Sequence, residues 1–181
     1  MECIWSSRKS ASTKSVKETL HEDLRRLLRE GREKQLVEFL TLNYDLDPRL
    51  VFFKDGKTPL TECAESNNVE IAACLIRRFH CDPDGLDNSE WQQSALHRAA
   101  KHSSIHLARF LLNEGAKVDV RAQGSKCIDA TPLHWSAARG NEQMVELLLD
   151  KGANINASDA KGNYLPTCLV SFLSKKSLTV L

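Results

Sequence analysis

Histidine and cysteine are the side chains in this 181-residue chain most suited to chemistry, and their spacing decides what chemistry is open to them. His97 and His134 recur in matching local contexts, L-H-R-A-A and L-H-W-S-A, which points to a repeated structural role for the ring as donor and acceptor. His102 and His106 are four apart, a spacing that suits a metal if both lie on one helix. The sequence places a turn at Ser103 between them, so they are not expected to share a face. Cys74, His80 and Cys81 lack a second ligand pair at zinc-finger spacing, and no metal site is expected. The chain has no glycine-rich phosphate loop, no G-x-S-x-G and no H-E-x-x-H. The sequence therefore reads as a non-enzyme without cofactor, and interest moves to tryptophan and arginine, the residue types enriched at binding hot spots.

Those side chains must be carried by a framework, and three gapless segments supply it. They begin at Thr58 (TPLTECAESNNVEIAACLIRRFHCDPD), Ser94 (SALHRAAKHSSIHLARFLLNEGAKVDV) and Thr131 (TPLHWSAARGNEQMVELLLDKGANINA). Counting from each first residue, offsets five and six are small (Cys63-Ala64, Ala99-Ala100, Ser136-Ala137), and offset nine is Asn67, Ser103 and Gly140. This predicts two short helices joined at offset nine. The first starts at an N-capping Thr followed by Pro at the first helical position. The second buries Ala72, Leu75 and Ile76, then Ala108, Leu111 and Leu112, then Val145, Leu148 and Leu149 on one face. Gly115 and Gly152 end it by taking the left-handed conformation. One such pair cannot bury its own apolar face, so copies must stack.

These segments resemble the ankyrin repeat, a unit of about 33 residues with a T-P-L-H-x-A signature. The resemblance covers about Phe52 to Asn163 and implies an all-α solenoid of helix pairs with projecting hairpin loops, whose concave face binds proteins. The spacings of 36 and 37 residues between copies put insertions into the loops at Asp82 to Gln93 and Arg121 to Ala130, which are expected to be longer and more mobile than usual. The first copy carries Thr61 in place of the histidine and Phe79-His80 where the others have Gly-Ala, so its second helix is expected to end less cleanly.

The expected organisation is a disordered arm over 1–17, an N-terminal capping helix pair over 18–51, repeats over 52–87, 88–123 and 124–160, and an incomplete or divergent fourth repeat and tail over 161–181. In the cap, Gly31 matches Gly140 and Leu36, Phe39 and Leu40 match Val145, Leu148 and Leu149, while Glu22, Arg25, Arg26, Arg29 and Glu30 are expected to face water. The tail reads either as a degenerate cap folding Leu169, Phe172 and Leu173 onto the third repeat or as an alternative terminus of a longer chain. Its last residues, Thr179 to Leu181, resemble a PDZ ligand, with a frayed apolar end as the simpler reading.

The resemblance implies contact residues on the first helices and hairpins: Glu62, Arg98, His102, Trp135 and Arg139 on the helices, and Trp91, Arg121 and Gln123 on the loops. Trp135 has two open roles, contacting a partner or packing between first helices. Asn156 matches the position at which ankyrin proteins are hydroxylated, and the plainer reading gives it a role in its own turn. Six spread cysteines and no apolar leader favour reduced thiols and a cytoplasmic, or also nuclear, location. A net charge of +1 gives no bulk attraction to nucleic acid or anionic membrane, and no apolar run nears the roughly 20 residues that span a bilayer. The expected species is a monomer that binds a protein partner as an adaptor or regulator. The alternative is an orphaned regulatory segment, as from a truncated isoform, of a larger enzyme, ubiquitin-ligase subunit or channel.

Overall fold

The structure is a computed structural model that describes residues 13–160. Eight helices follow in pairs: α1 (Thr13–Glu30) with α2 (Glu33–Leu42), α3 (Pro59–Ser66) with α4 (Val69–Arg77), α5 (Ala95–His102) with α6 (Ile105–Asn113), and α7 (Pro132–Ala138) with α8 (Glu142–Asp150). The first helices pack in the order α1, α3, α5, α7 and the second helices in the order α2, α4, α6, α8, giving a two-layered, all-α solenoid. The first helix begins at Thr13, five residues before the expected start of the N-terminal pair at residue 18. Expectations placed on residues 1–12 and on the tail, including the capping and PDZ readings, lie outside the described residues.

Each helix pair turns where its sequence allows a left-handed residue. Asn67, Ser103 and Gly140, the three residues at offset nine, have φ of 53°, 62° and 65°, and Gly31 in the N-terminal pair has 71°. Gly115 and Gly152 take φ of 93° and 85° just beyond α6 and α8. In the first copy that residue is absent, and the chain turns one position later at His80, with φ of 55°. A non-glycine residue is uncommon there, and α4 nevertheless has the same nine-residue length as α6 and α8.

Small residues at offsets five and six are all buried, which lets the first helices approach closely, while Ile71, Leu75, Leu107, Leu111, Met144 and Leu148 fill the space between layers. Polar bonds tie one repeat to the next: Ser104 Oγ donates to the Ala64 carbonyl at 2.7 Å in a buried bond, and Asn68 Nδ2 to the Leu28 carbonyl at 3.3 Å in a half-buried one. The N-caps of α3, α5 and α7 close reciprocally. Thr61 Oγ1 accepts from the Thr58 N–H at 2.9 Å, and His97 Nδ1 and His134 Nδ1 accept from the Ser94 and Thr131 N–H groups at 3.2 and 3.1 Å. The periodic histidine is thus structural, as its spacing predicts.

The inserted hairpins, expected to be longer and more mobile than usual, are docked on one another. The Asn88 N–H donates to Gly56 O at 2.7 Å, the Gly124 N–H to Trp91 O at 3.1 Å, and the Gln123 N–H to Gln92 O at 3.3 Å. Gly124 is required by this approach: a Cβ there would lie 2.2 Å from the Trp91 carbonyl carbon. Gly124→Ala is therefore expected to push the third hairpin off the second and cost about 1 to 3 kcal/mol as an overpacking substitution. Urea unfolding would measure the loss, and a change below a few tenths of a kcal/mol would show that the hairpins are not held together.

Candidate functional site

A ladder of charges runs along the first helices. Arg25 on α1 reaches Glu62 at 2.8 Å and Asp55 at 2.5 Å, and Arg29 reaches Glu62 at 2.6 Å. Lys57 joins Asp55 at 3.2 Å to Glu65 at 2.8 Å. Arg98 on α5 then bridges Glu65 at 3.0 Å and Asp87 at 2.7 Å. Asp87 comes from the inserted loop, and its Oδ1 also accepts from Ser89 Oγ and the Gln93 N–H. Burial opposes ionisation of Glu62, yet the bonds from Arg25 and Arg29 win and hold its carboxyl below the ordinary range.

Two expected contact residues must therefore be corrected. Glu62 is 1% exposed and Arg98 6% exposed, and both are fully paired within the solenoid, so neither offers its charge to a partner. Arg25 and Arg29 likewise turn toward the first repeat and do not simply face water. The ion pairs of Glu62 depend on α1, whose register a loose sequence match does not fix, and those of Arg98 on α3 and the inserted loop.

Further along the same face the character changes from ionic to aromatic and cationic. Trp135 on α7 meets Trp91 of the inserted loop edge to face, with ring centroids 5.4 Å apart. Lys101, three residues beyond Arg98, lies over both rings, at 5.5 Å from Trp91 and 5.3 Å from Trp135, a favourable placement for an ammonium. Both tryptophans are half-buried, and Trp135 packs against the core, the second of its two open roles. Burial lowers the Lys101 pKa, and the nearby Arg98 and Arg139 lower it further. Lys101 was not singled out from sequence because it stands at offset seven, where the other copies have Glu65 and Ala138.

Arg139, His102 and Gln123 are exposed around this cluster. The His102 Nε2 lies 3.7 Å from Glu65 Oε1. Arg121 is exposed but tethered, its Nη1 donating to the carbonyls of Asp129 and Ser158 at 3.1 Å each. His102 ends α5 and His106 belongs to α6, so the two are on different helices. Among the described residues no group of His, Cys, Asp or Glu is arranged to hold a metal ion. Asn156 does not make its own turn: Asn154 Oδ1 accepts from the Asn156 N–H at 2.9 Å, and Asn156 is exposed. A separate groove of about 550 Å³, lined by residues including Leu20, His21, Leu42, Tyr44 and Leu50, opens beside the N-terminal pair and was not foreseen.

A family model for ankyrin repeats in three copies matches residues 24–122 and 79–159, which together take in all four helix pairs from Leu24 onward. The chain belongs to the ankyrin-repeat family. From Leu24 onward the N-terminal pair, read from sequence as a cap, falls within the matched ankyrin region. Relatives include the palmitoyltransferase AKR1 of Lachancea kluyveri, 39% identical over 69 residues, or 38% of this chain and 9% of the relative. Human Rabankyrin-5 is 37% identical over 112 residues, 56% of this chain and 9% of the relative. The E3 ubiquitin-protein ligase KEG of Arabidopsis thaliana is 33% identical over 82 residues, 45% of this chain and 5% of the relative. This ankyrin chain thus spans less than a tenth of the length of each of these three. Ankyrin repeats generally serve as protein-interaction modules and are typically non-catalytic.

Proposed function

We propose that this ankyrin chain is an adaptor or regulator that binds a partner protein through the concave layer of its first helices and the adjoining hairpins. The observation that carries the reading is the Trp91, Lys101 and Trp135 cluster, an amphipathic surface built from three different segments and bordered by the exposed His102, Gln123 and Arg139. Trp, at the centre of this surface, and Arg, at its border, are residue types enriched at binding hot spots. Among the described residues no helix is long and apolar enough to cross a membrane. The proposed working form is a monomer in the cytoplasm, or also the nucleus. A second reading is favoured by the short share of each relative that the match covers: the chain would be the regulatory ankyrin segment of a larger enzyme, ubiquitin-ligase subunit or channel.

Site-specific photo-crosslinking tests the surface in either setting. A photoreactive amino acid at Gln123 or His102 is expected to yield covalent adducts with a partner in cells, whereas one at Gln143, exposed on α8, is expected to yield none. Adducts from Gln143 alone, or only from Tyr44 beside the N-terminal groove, would overturn the concave assignment.

A further inference from the structure

The cations of the central repeat are not equivalent. Arg98 is neutralised by Asp87 and Glu65, and Glu65 is already shared with Lys57. Lys126 has Glu90 at 3.8 Å. Lys101 and Arg139, in contrast, have no carboxylate within ion-pair distance among the described residues, although they sit close enough for Arg139 to depress the ionisation of Lys101. The nearby carboxylates on this side are committed to other cations, and Glu65 acts on Lys101 only from beyond ion-pair distance, so two neighbouring positive charges lack an ion-pair partner beside two half-buried indoles.

We propose that the partner segment is acidic: its carboxylates pair with Lys101 and Arg139 while an adjacent apolar side chain lies against Trp91 and Trp135. The inference rests on the concave-face reading above and specifies the chemistry of what binds there. A carboxylate arriving at Lys101 meets an ammonium that Arg98 and Arg139 repel and that Glu65, shared with Lys57 and Arg98, attracts only from beyond ion-pair distance, so pairing adds attraction and offsets that repulsion. The half-buried setting strengthens that pairing relative to one at a fully exposed surface. The indole edges add contact area that aromatic residues supply at interface centres. Single-stranded nucleic acid also seeks aromatic rings and cations, but it needs a cationic track along its backbone. Here Lys101 and Arg139 are bordered by Glu65, Glu90 and Asp87, and the chain carries a net charge of only +1.

Selection from a phage-displayed library of random 12-residue peptides on the full chain provides the test. The expected pool is enriched in Asp and Glu next to an apolar residue, and a selected peptide should bind at least about tenfold more weakly to the Lys101→Glu, Arg139→Glu variant, whose interfacial charges are reversed. Its affinity should also fall as NaCl is raised, because exposed charge pairs are screened. Lys101→Gln with Arg139→Gln gives a gentler variant should the reversal disturb folding, with circular dichroism checking each. Enrichment of non-acidic peptides that compete with the concave crosslinks would overturn the acidic assignment and leave the concave reading standing. Acidic peptides that bind both variants undiminished would also overturn it. A pool with no enrichment, together with no adducts at Gln123 or His102, would sink the concave reading itself. Tighter binding of a thymidine 12-mer oligonucleotide than of any selected peptide would replace the protein partner with a nucleic acid.

Discussion

Replacing Arg98 with Ala is expected to lower the stability of the chain by about 3 to 5 kcal/mol, the range for stranding a charge inside a protein. The guanidinium touches Asp87 Oδ2 through Nε at 3.2 Å and Nη2 at 2.7 Å, and Glu65 through Nη1 at 3.0 Å. Asp87 is 3% exposed, so its carboxylate cannot recover the lost partner from water. The same residue holds the inserted loop in place, since its other oxygen accepts from Ser89 and Gln93. The Arg98→Ala, Asp87→Asn double variant separates the two contributions. Asn retains an acceptor for the loop and carries no charge, so the double variant should be more stable than Arg98→Ala alone. Urea titration of the wild type, both single variants and the double variant closes the cycle. A cost near zero for Arg98→Ala, or strictly additive losses, would show that the buried pair does not hold the second hairpin.

How far these features are legible in the sequence depends on whether they are local. The pair of helices, its left-handed turn and its buried small residues follow from one repeat read against itself. Three copies at offset nine adopting one backbone conformation with Asn, Ser and Gly is a direct outcome of alignment. The histidine role was likewise readable, because the cap it completes lies three residues away. The charge ladder was not readable in the same way. Glu62 and Arg98 align at offset four and look like two surface residues, and only the packing of α1 against α3 and the path of an inserted loop bring Arg25, Arg29 and Asp87 to them. Insertions have no counterpart in the other copies, so nothing in the repeat predicts where they fold. That is also why Trp91 was recognised as a loop residue of interest while its contact with Trp135, and the place of Lys101 over both, emerged only in three dimensions.

Stability should fall as the pH drops from about 6.5 to about 4, by on the order of 3 kcal/mol in total, and His97 should account for most of the loss in the upper part of that window. Its ring is wholly buried, and burial pushes its pKa down from 6.5 to about 4, with Arg98 and His134 adding smaller repulsions. Nδ1 accepts from the Ser94 N–H, so Nε2 carries the proton and donates to the carbonyl of Ala130 at 2.9 Å, linking the α5 cap to the next repeat. Above pH 6.5 the ring is neutral in both the folded and the unfolded chain, and its contribution is fully present. Between 6.5 and 4 the unfolded chain takes up a proton that the folded chain refuses, which favours unfolding. Below 4 the contribution is gone, and the proton would also displace the Ser94 N–H from Nδ1. The lowered carboxyls of Glu62 and Asp55 have the same sign, but their effect begins only below their ordinary values of 4.5 and 3.8. His102 is lowered too and leaves a smaller residual slope through its more exposed ring. The chain supplies the natural comparison: Thr61 closes the equivalent cap in the first copy through its hydroxyl. His97→Thr should therefore keep the N-cap, lose the bond to Ala130, and unfold at lower urea at pH 7. Its midpoint should then change little between pH 7 and about 5. An unaltered pH dependence in that variant would mean that the buried histidine is not the group that couples folding to protons.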